Sequence, residues 1–345
     1  MNQARLAETL IKRALRRGSA AWQTCPMLRR PLLAGLIFAP LLPGAARAAG
    51  YGDFLLGLRA RAIANGIPAA IADQALASLS VPNADVLKFD HHQPEFTETF
   101  ATYSSHVLNA TRITAGQGKY AATQALLAAI TSRFGVAAGP MLGIWGLETN
   151  FGAAQGDFYV IDALATLAWD RNSSYFAHEA IAAMRIIAAG DAPAGTLTGS
   201  YAGAMGQPQF MPSVYLSTAI SFSGASAPDI WHSDADSLAS MAHYLAHAGW
   251  RADEPASEPV YATLSSTAGT GRDNVQTLGY WLSLGVQRLP GAADLPDDFP
   301  AALLLPDGAA GQAFLAYHNF TVIRRYNPSD FYALATDALG RAILA

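Results

Sequence analysis

The chain has 345 residues but a single cysteine, Cys25, and little charge. One cysteine near the start excludes a disulfide framework and leaves no thiol nucleophile in the chain that follows. Only 14% of the residues are charged and 51% are hydrophobic, which excludes a disordered chain and indicates one large or two modest globular domains. The sequence also lacks a G-x-S-x-G segment, which argues against a serine hydrolase.

A hydrophobic run long enough to span a membrane is missing near the start of the chain. The apolar stretch at residues 31–42 is about 12 residues long, whereas a spanning helix needs roughly 20. It follows Arg29 and Arg30, and small residues after it end at Ala48. This order predicts a signal peptide, residues 1–48, cleaved after Ala48, and a periplasmic chain without stable membrane insertion. Because Cys25 precedes the apolar stretch, we expect no lipoprotein anchor.

The leader is longer than most signal peptides. A start at Met27 would give an ordinary length, so we interpret residues 1–26 as an extension that need not be translated. A genuine long basic region is the alternative, and a twin-arginine signal at Arg29 and Arg30 is another.

Removal of the leader changes the charge of the chain. It holds eight of the 22 Lys and Arg residues and one of the 26 Asp and Glu residues, so the remainder has a formal net charge of −11. An acidic domain argues against nucleic acid or an anionic membrane as the partner.

Helical periodicity dominates the rest of the chain, which predicts a mainly α (α+β) fold with a small irregular or β portion. The pattern predicts a turn at Gly116–Lys119 and short strands at Val260–Leu264 and Ala302–Leu305. It predicts helices at 54–79 (broken at Gly66-Ile67-Pro68), around Tyr103, and at 120–134, 140–148, 159–169, 175–189 and 234–248, with a last helix near the C-terminus.

Glu148 ends the short apolar run that starts at Pro140, and Thr149 and Asn150 follow it. The run predicts a buried helix with Pro140 in its first turn and Glu148 near its C-terminus. Burial and the negative end of the helix dipole both disfavour the charged carboxylate. Such a Glu can hold a proton near neutral pH and act as a general acid. The alternative is a solvated helix-end glutamate.

The segment Gly199–Ser213 is rich in Gly and Pro and also contains two glutamines and two aromatic residues, which excludes a regular helix. Such a loop brings backbone, amide and hydroxyl groups close to a ligand beside apolar faces. That combination suits sugars, which have polar edges and apolar ring faces. A purely structural turn is the alternative.

Metal and phosphate motifs are weak. His178-Glu179 lacks the second histidine of a zinc helix, and His91-His92 is more typical of a polar loop than of a metal pair. Gly116–Lys119 is too short for a phosphate loop. We therefore expect no cofactor and no metal.

Together, the Glu148 run and the Gly199–Ser213 loop closely resemble the B-type membrane-bound lytic murein transglycosylases, a family with a lysozyme-like fold. The resemblance spans nearly the whole chain after the leader. Further matching segments, in order, are Val160–Leu167, Asp229–Trp231, Ser240–Leu245, Gly249-Trp250, Asn319–Ile323 and Arg325–Asn327.

The resemblance implies a role for each matching residue. Glu148 would be the single catalytic acid and base, and Ser200 and Gln209 would line the groove near the reacting muramic acid. Arg171 would contact the glycan or its peptide stem. The remaining residues, which would hold sugar rings or the N-acetyl group, are Tyr103, Tyr244, Tyr326 and Asn327.

Two positions depart from the family pattern. Asn172 stands where a second arginine is expected, which puts the affinity for the glycan or its stem in doubt. Some relatives have an acidic, calcium-binding loop where this chain has Ser221–Ala227, and Ser221 and Ala225 replace the acids. Calcium needs several oxygen ligands, and only Asp236 remains nearby, so we expect no calcium site.

The resemblance implies cleavage of the bond between N-acetylmuramic acid and N-acetylglucosamine in periplasmic peptidoglycan, with 1,6-anhydro ends as products. The alternatives are a hydrolytic muramidase and a non-catalytic glycan-binding protein of the envelope. Glycan strands are the expected partner, and wall-synthesis or division proteins are left open. The expected parts are the signal peptide, a catalytic core at 49–258, a small irregular or β region at 259–311, and a segment returning to the core at 312–345.

Overall fold

The computed structural model describes residues 44–91, 98–263 and 269–345, with side chains from residue 50 onward. These residues form two compact units: residues 44–254 together with 335–345, and Pro255–Leu334. Most of the predicted signal peptide, residues 1–43, lies outside the described residues, and so does His92.

The first unit is built from helices, as the periodicity predicts. Two short strands, β1 (Phe158–Tyr159) and β2 (Thr198–Gly199), pair antiparallel, with Phe158 opposite Gly199. The helices are α1 (Gly44–Ala64), α2 (Ala69–Leu76), α3 (Ala84–His91), α4 (Phe100–Val107), α5 (Ala110–Phe134), α6 (Ala138–Thr149), α7 (Val160–Asp170), α8 (Ser174–Ala189), α9 (Pro212–Thr218) and α10 (Asp234–His247).

The predicted turn at Gly116–Lys119 is wrong, because these residues lie inside helix α5. The helix begins after Asn109, whose side chain accepts a hydrogen bond from the Arg112 N–H at 2.9 Å, and ends at the left-handed Gly135. Gly116 is there for space: a Cβ on it would lie 2.5 Å from Ile343 Cδ1. A glycine that allows close packing resembles a turn signal when only the sequence is known.

Helix α13 (Asp330–Leu344) begins in the second unit, and its residues from 335 onward belong to the first, where they pack closely on α6. A Cβ on Gly143 would lie 2.1 Å from the Thr336 carbonyl oxygen, and one on Gly340 would lie 2.3 Å from the Gly139 carbonyl oxygen. Only glycines permit this separation of the two helices, so the end of the chain supports the helix that carries Glu148.

The second unit is a five-stranded antiparallel sheet with two helices. The strand order is β4-β6-β7-β3-β5, and Leu303 lies opposite Leu315 in the register. The elements are β3 (Ser257–Ala262), β4 (Val275–Thr277), α11 (Leu278–Ser283), β5 (Val286–Arg288), β6 (Pro300–Leu304), β7 (Ala313–Ala316) and α12 (His318–Tyr326).

Sequence patterns identified β3 and β6 only. The other three strands have three or four residues, too few for a period-2 pattern to stand out. The core of the sheet includes Trp281, whose indole N–H donates to the Ala301 carbonyl at 2.9 Å.

In the described part of the chain, no single helix is long and apolar enough to cross a membrane. Helices α5 and α6 meet that test only as a pair, and they are bent by 114°.

Candidate active site

Glu148 is the second-last residue of helix α6, and its side chain is half-buried. The helix runs from Ala138 to Thr149, close to the predicted 140–148, and its residues from Gly139 to Gly146 are all buried. A fully buried helix holds its last turn firmly. The carboxyl group therefore emerges from the apolar interior at a fixed position.

The chain leaves α6 through three consecutive residues with positive φ: Asn150 (49°), Phe151 (60°) and Gly152 (86°). A bulky residue such as Phe rarely adopts this conformation, so the surroundings must impose it. The Phe151 ring packs edge-on against Trp145, with centroids 5.7 Å apart. A Cβ on Gly116 or Gly146 would lie 2.8 Å from its Cζ atom. These two glycines make the slot that holds Phe151 and thereby orient the turn beyond Glu148.

Helix α4 presents Tyr103 to this site, in the helix that the sequence predicts around this residue. The pKa of Tyr103 is raised to about 12, mainly by burial and also by the negative charges of Glu148 and Glu98, while Arg112 opposes them. The structure thus brings the Tyr103 phenol within electrostatic reach of Glu148. Glu98 is in turn 3.7 Å from the His106 ring.

The Gly199–Ser213 loop is irregular, as predicted, until helix α9 begins at Pro212. Ser200 closes a tight turn: its N–H donates to the Ala204 carbonyl at 2.8 Å, and its hydroxyl oxygen accepts from the Ala204 N–H at 3.1 Å. Because the hydroxyl oxygen accepts from the turn, its own proton can be donated to a ligand.

Gln209 has a left-handed backbone, with φ of 52°. Its side-chain nitrogen donates to two carbonyl oxygens, those of Gln155 (3.0 Å) and Gly206 (2.9 Å). Two carbonyl partners fix the orientation of the amide, because the oxygen could not take the place of the nitrogen. The side-chain oxygen of Gln209 is therefore the atom that can accept a hydrogen bond from a ligand.

Gln207 joins the loop to helix α6. The sequence pattern does not identify this role. Only 3% of the residue is exposed. Its side-chain oxygen accepts from the Trp145 indole N–H at 2.7 Å, and its nitrogen donates to Asp234 Oδ1 at 3.1 Å. Its main-chain oxygen accepts from the Thr149 hydroxyl at 3.0 Å. Gln207 is buried and Gln209 is partly exposed, and residue types alone do not predict this difference between two glutamines of one loop.

Tyr244 lies on helix α10, where 7% of it is exposed, and its ring centroid is 5.9 Å from that of Phe210 in the loop. It therefore packs against the same loop that carries Ser200 and Gln209.

Arg171 follows helix α7, and its Nε donates to Asp90 Oδ2 at 2.8 Å while its Nη2 bonds the other carboxylate oxygen. The Asp90 side chain is 3% exposed and the Arg171 side chain 38%, so this bidentate pair holds a buried carboxylate to a partly exposed guanidinium. Asn172, the departure from the family pattern, has φ of 46°, a conformation that asparagine tolerates better than arginine. The contact of Arg171 with glycan stays a prediction.

Asp90, His91 and Asp170 place three potential metal-ligand atoms within 4.8 Å of one another. Arg171 already binds Asp90, and the His91 ring lies 2.9 Å from Asp170. A metal ion would have to displace or share these partners, so the cluster does not alter the expectation that the site holds no metal.

Tyr326 and Asn327 belong to the second unit, at the end of α12. Asn327 is 8% exposed, and its side-chain oxygen has no hydrogen-bond partner among the described residues. A buried acceptor without a partner is costly unless a ligand or water supplies an N–H or O–H group.

The Ser221–Ala227 loop is held by hydrogen bonds. Both carboxylate oxygens of Asp236 accept from main-chain N–H groups, those of Phe222 (2.8 Å) and Asp229 (2.9 Å), and the Ser221 hydroxyl accepts from the Ala225 N–H at 2.9 Å. The oxygens that calcium would need are used within the protein, so these residues do not suit a calcium ion.

The described residues have the chemistry that a polar, ring-shaped ligand requires. One half-buried carboxyl group can donate and accept a proton, with a phenol nearby. A rigid loop offers a hydroxyl donor and an amide acceptor beside aromatic rings.

Comparison with known proteins agrees with this class. The family model of the transglycosylase SLT domain matches residues 51–341, and the chain belongs to this family. The resemblance inferred from the sequence is thereby confirmed.

One similar protein is membrane-bound lytic murein transglycosylase B of Escherichia coli (strain K12). It is 34% identical over 215 residues, which is 61% of this chain and 58% of that protein. The chain thus spans less than two thirds of the length of this relative.

Solved structures share the fold. SltB3 from Pseudomonas aeruginosa, in complex with NAG-anhNAM-pentapeptide, has 36% identity and a TM-score of 0.81, covering 86% of this chain and 80% of that chain. The Escherichia coli lytic transglycosylase Slt35, in complex with calcium, has 26% identity and a TM-score of 0.71, covering 86% and 92%. These matches confirm the predicted mainly helical, lysozyme-like fold.

Proposed function

We propose that the chain is a peptidoglycan lytic transglycosylase that cleaves the β-1,4 bond between N-acetylmuramic acid and N-acetylglucosamine. The observation that supports this most directly is the placement of Glu148, half-buried at the end of a buried helix and coupled to Tyr103, in a chain of this family. The related SltB3 from Pseudomonas aeruginosa has been solved in complex with NAG-anhNAM-pentapeptide and with NAG-NAM-pentapeptide.

A single carboxyl group suffices for this reaction. Glu148 first protonates the glycosidic oxygen, and the bond to C1 of the muramic acid breaks. The acetamido group of the substrate stabilises the positive charge that develops at C1, as in substrate-assisted glycosidases. The Glu148 carboxylate then removes the proton from the C6 hydroxyl, whose oxygen bonds to C1. The products are a 1,6-anhydro-muramic end and a free sugar hydroxyl, and no water is consumed.

The loop supplies the orientation. The Ser200 hydroxyl can donate and the Gln209 side-chain oxygen can accept, so together they match the carbonyl and the N–H or hydroxyl groups of an N-acetyl sugar. Asn327, in the second unit, offers another acceptor that needs an N–H donor. Tyr244, Tyr326 and Arg171 complete the proposed glycan-binding set.

The predicted leader and the murein-degrading relatives support a periplasmic location, with glycan strands as the partner. The described residues provide no basis for naming a protein partner.

Digestion of purified wall sacculi with residues 49–345 tests the proposal, with Glu148→Gln as the matched inactive variant. We expect muropeptides one water lighter than reducing ones from the unaltered protein and none from the variant. Reducing ends instead would identify a hydrolytic muramidase. Fragments released equally by both proteins would remove Glu148 from the mechanism, and binding without release would favour a non-catalytic glycan-binding protein.

A further inference from the structure

Three aromatic rings from separate segments meet at the surface of the first unit. The Phe89 ring, on helix α3, stacks on Tyr201 with centroids 5.7 Å apart and planes 28° from parallel. It also meets Phe158 of strand β1 edge-on at 5.9 Å. We call these three residues the aromatic surface. Phe89 is 50% exposed, although its neighbours on α3, Val86 and Asp90, are buried.

The aromatic surface is continuous with the loop of the active site. Tyr201 directly follows Ser200, and Phe158 pairs with Gly199 in the β1–β2 ribbon. A Cβ on Gly156 would lie 2.3 Å from the Gly199 carbonyl oxygen, so the ribbon is held tightly against the segment that leaves Glu148. The aromatic surface is therefore tied, through Tyr201 and the β1–β2 ribbon, to the loop that carries Ser200.

Hydrogen-bonding groups follow Phe89 at the end of helix α3. Asp90, next to Phe89, forms the bidentate pair with Arg171, and His91 pairs with Asp170 at 2.9 Å. His91 is the most open of them, with 55% of its side chain exposed. The exposed aromatic ring of Phe89 matches the C–H face of a pyranose ring, whose hydroxyls lie around its edge.

We propose that the aromatic surface is an additional saccharide subsite, in which a sugar ring of the strand beyond the reacting muramic acid packs on Phe89. Tyr201 and Phe158 hold the Phe89 ring in place, so little side-chain entropy is lost on binding. This inference rests on the proposed function, because it takes the bound strand to be peptidoglycan.

The test uses the Glu148→Gln protein, so that binding is measured without cleavage. Its affinity for long naked glycan strands and for a short tetrasaccharide is compared before and after Phe89→Ala. We expect Phe89→Ala to weaken binding of long strands by roughly five- to tenfold, as removal of about 50 Å² of apolar contact would. The tetrasaccharide should lose less, because it occupies fewer subsites.

Two further variants serve as controls. Phe89→Tyr keeps the ring face and should restore long-strand affinity to within about twofold. Leu56→Ala removes another exposed apolar side chain, 66% exposed on α1, and should leave both affinities unchanged. Thermal unfolding of each variant establishes that it is folded.

Equal losses for long and short glycans, or none for either, would overturn the subsite. Failure of the proposed function gives a different result, because the unaltered protein would then release no anhydro-muropeptides whatever the strand length.

Discussion

The Trp145 indole N–H donates to the side-chain oxygen of Gln207 at 2.7 Å, and neither residue is more than 3% exposed. The other end of the Gln207 amide reaches Asp234, which also pairs with Lys119 at 3.0 Å, and the Lys119 ammonium lies 4.6 Å from the Trp145 ring centroid. This network links the Gly199–Ser213 loop and helix α10 to helix α6 one turn before Glu148.

Gln207→Leu should lower the free energy of unfolding by about 2–4 kcal/mol, because it leaves the buried Trp145 N–H without an acceptor. Urea denaturation checks this. Glycan cleavage should fall by more than the folded fraction does, because the variant loosens the turn that carries Glu148. Gln117→Leu, at an exposed position on α5, is the matched control and should stay within about 0.5 kcal/mol. Equal stability of the two variants would contradict the role of Gln207.

Gly143→Ala should destabilise the protein by about 2–4 kcal/mol, because its methyl group would overlap the Thr336 carbonyl and force α13 away from α6. Gly118→Ala, on the same kind of element, is the control, since a Cβ there meets nothing within 4 Å. It should stabilise the protein by about 0.5–1 kcal/mol through helix propensity. Thermal unfolding of the Gly143→Ala and Gly118→Ala variants measures the difference in stability. Similar unfolding midpoints would argue against close packing of α13 on α6.

Glu148→Gln should lower the rate of anhydro-muropeptide release by a factor of about 10²–10⁴, the usual contribution of a general acid and base. Glu98→Gln is the matched variant, because both carboxylates act on Tyr103 but only Glu148 is assigned to the chemistry. It should keep the rate within several-fold. A loss as large as that of Glu148→Gln would indicate a mechanism with two carboxyl groups.

Alkaline solution should destabilise the protein between pH 10 and 12. Burial raises the pKa of Tyr51, Tyr103 and Tyr159 to about 12 each, from 10.0. The stability that these protonated phenols provide is fully present below pH 10 and is lost as the pH rises through 12, by about 1 kcal/mol per tyrosine at pH 11. Urea midpoints at pH 9 and 11 measure the loss.

In the same measurement, Tyr103→Phe should show a smaller difference between the two pH values than the unaltered protein does. The exposed Tyr261→Phe serves as its control. An equal difference in all three proteins would contradict this assignment.

The midpoint of thermal unfolding should be the same in calcium as in EDTA. The reason is that both Asp236 carboxylate oxygens already accept hydrogen bonds, from the main-chain N–H groups of Phe222 and Asp229. A site occupied at 100 times its Kd would instead add about 2.7 kcal/mol and raise the midpoint by several degrees. The Ser221→Asp/Ala225→Asp double variant adds two carboxylates. It shows whether the assay can detect a calcium-dependent rise of the thermal midpoint. A calcium-dependent rise in the unaltered protein would overturn the expectation.

Several features follow from the sequence by local rules. The Gly66-Ile67-Pro68 break between α1 and α2, the helix ending at Glu148 and the irregular Gly199–Ser213 loop were all predictable. Each depends on the conformational limits of Gly and Pro or on a periodic apolar face. The family was identifiable for the same reason, since its motifs are runs of adjacent residues.

Other features depended on residues far apart in the chain. The sequence pattern predicts a turn at Gly116, whereas the glycine is needed for the approach of Ile343 and Phe151, contacts that no local pattern contains. In the sheet of the second unit, strands β4, β5 and β7 exist because the sheet pairs them with the longer strands β3 and β6. Gln207 and Gln209 are alike in sequence, yet packing buries one against Trp145 and holds the side-chain nitrogen of the other on two main-chain carbonyls.

The sequence by itself determined the family and the helical character, because these are properties of contiguous residues, and for the same reason it predicts Glu148 as the acid.

Only the tertiary structure decided which side chains surround that acid, which glycines bring helices together and where aromatic rings gather at the surface. Those outcomes arise from contacts between distant segments, and their energies depend on separation and burial rather than on residue type alone.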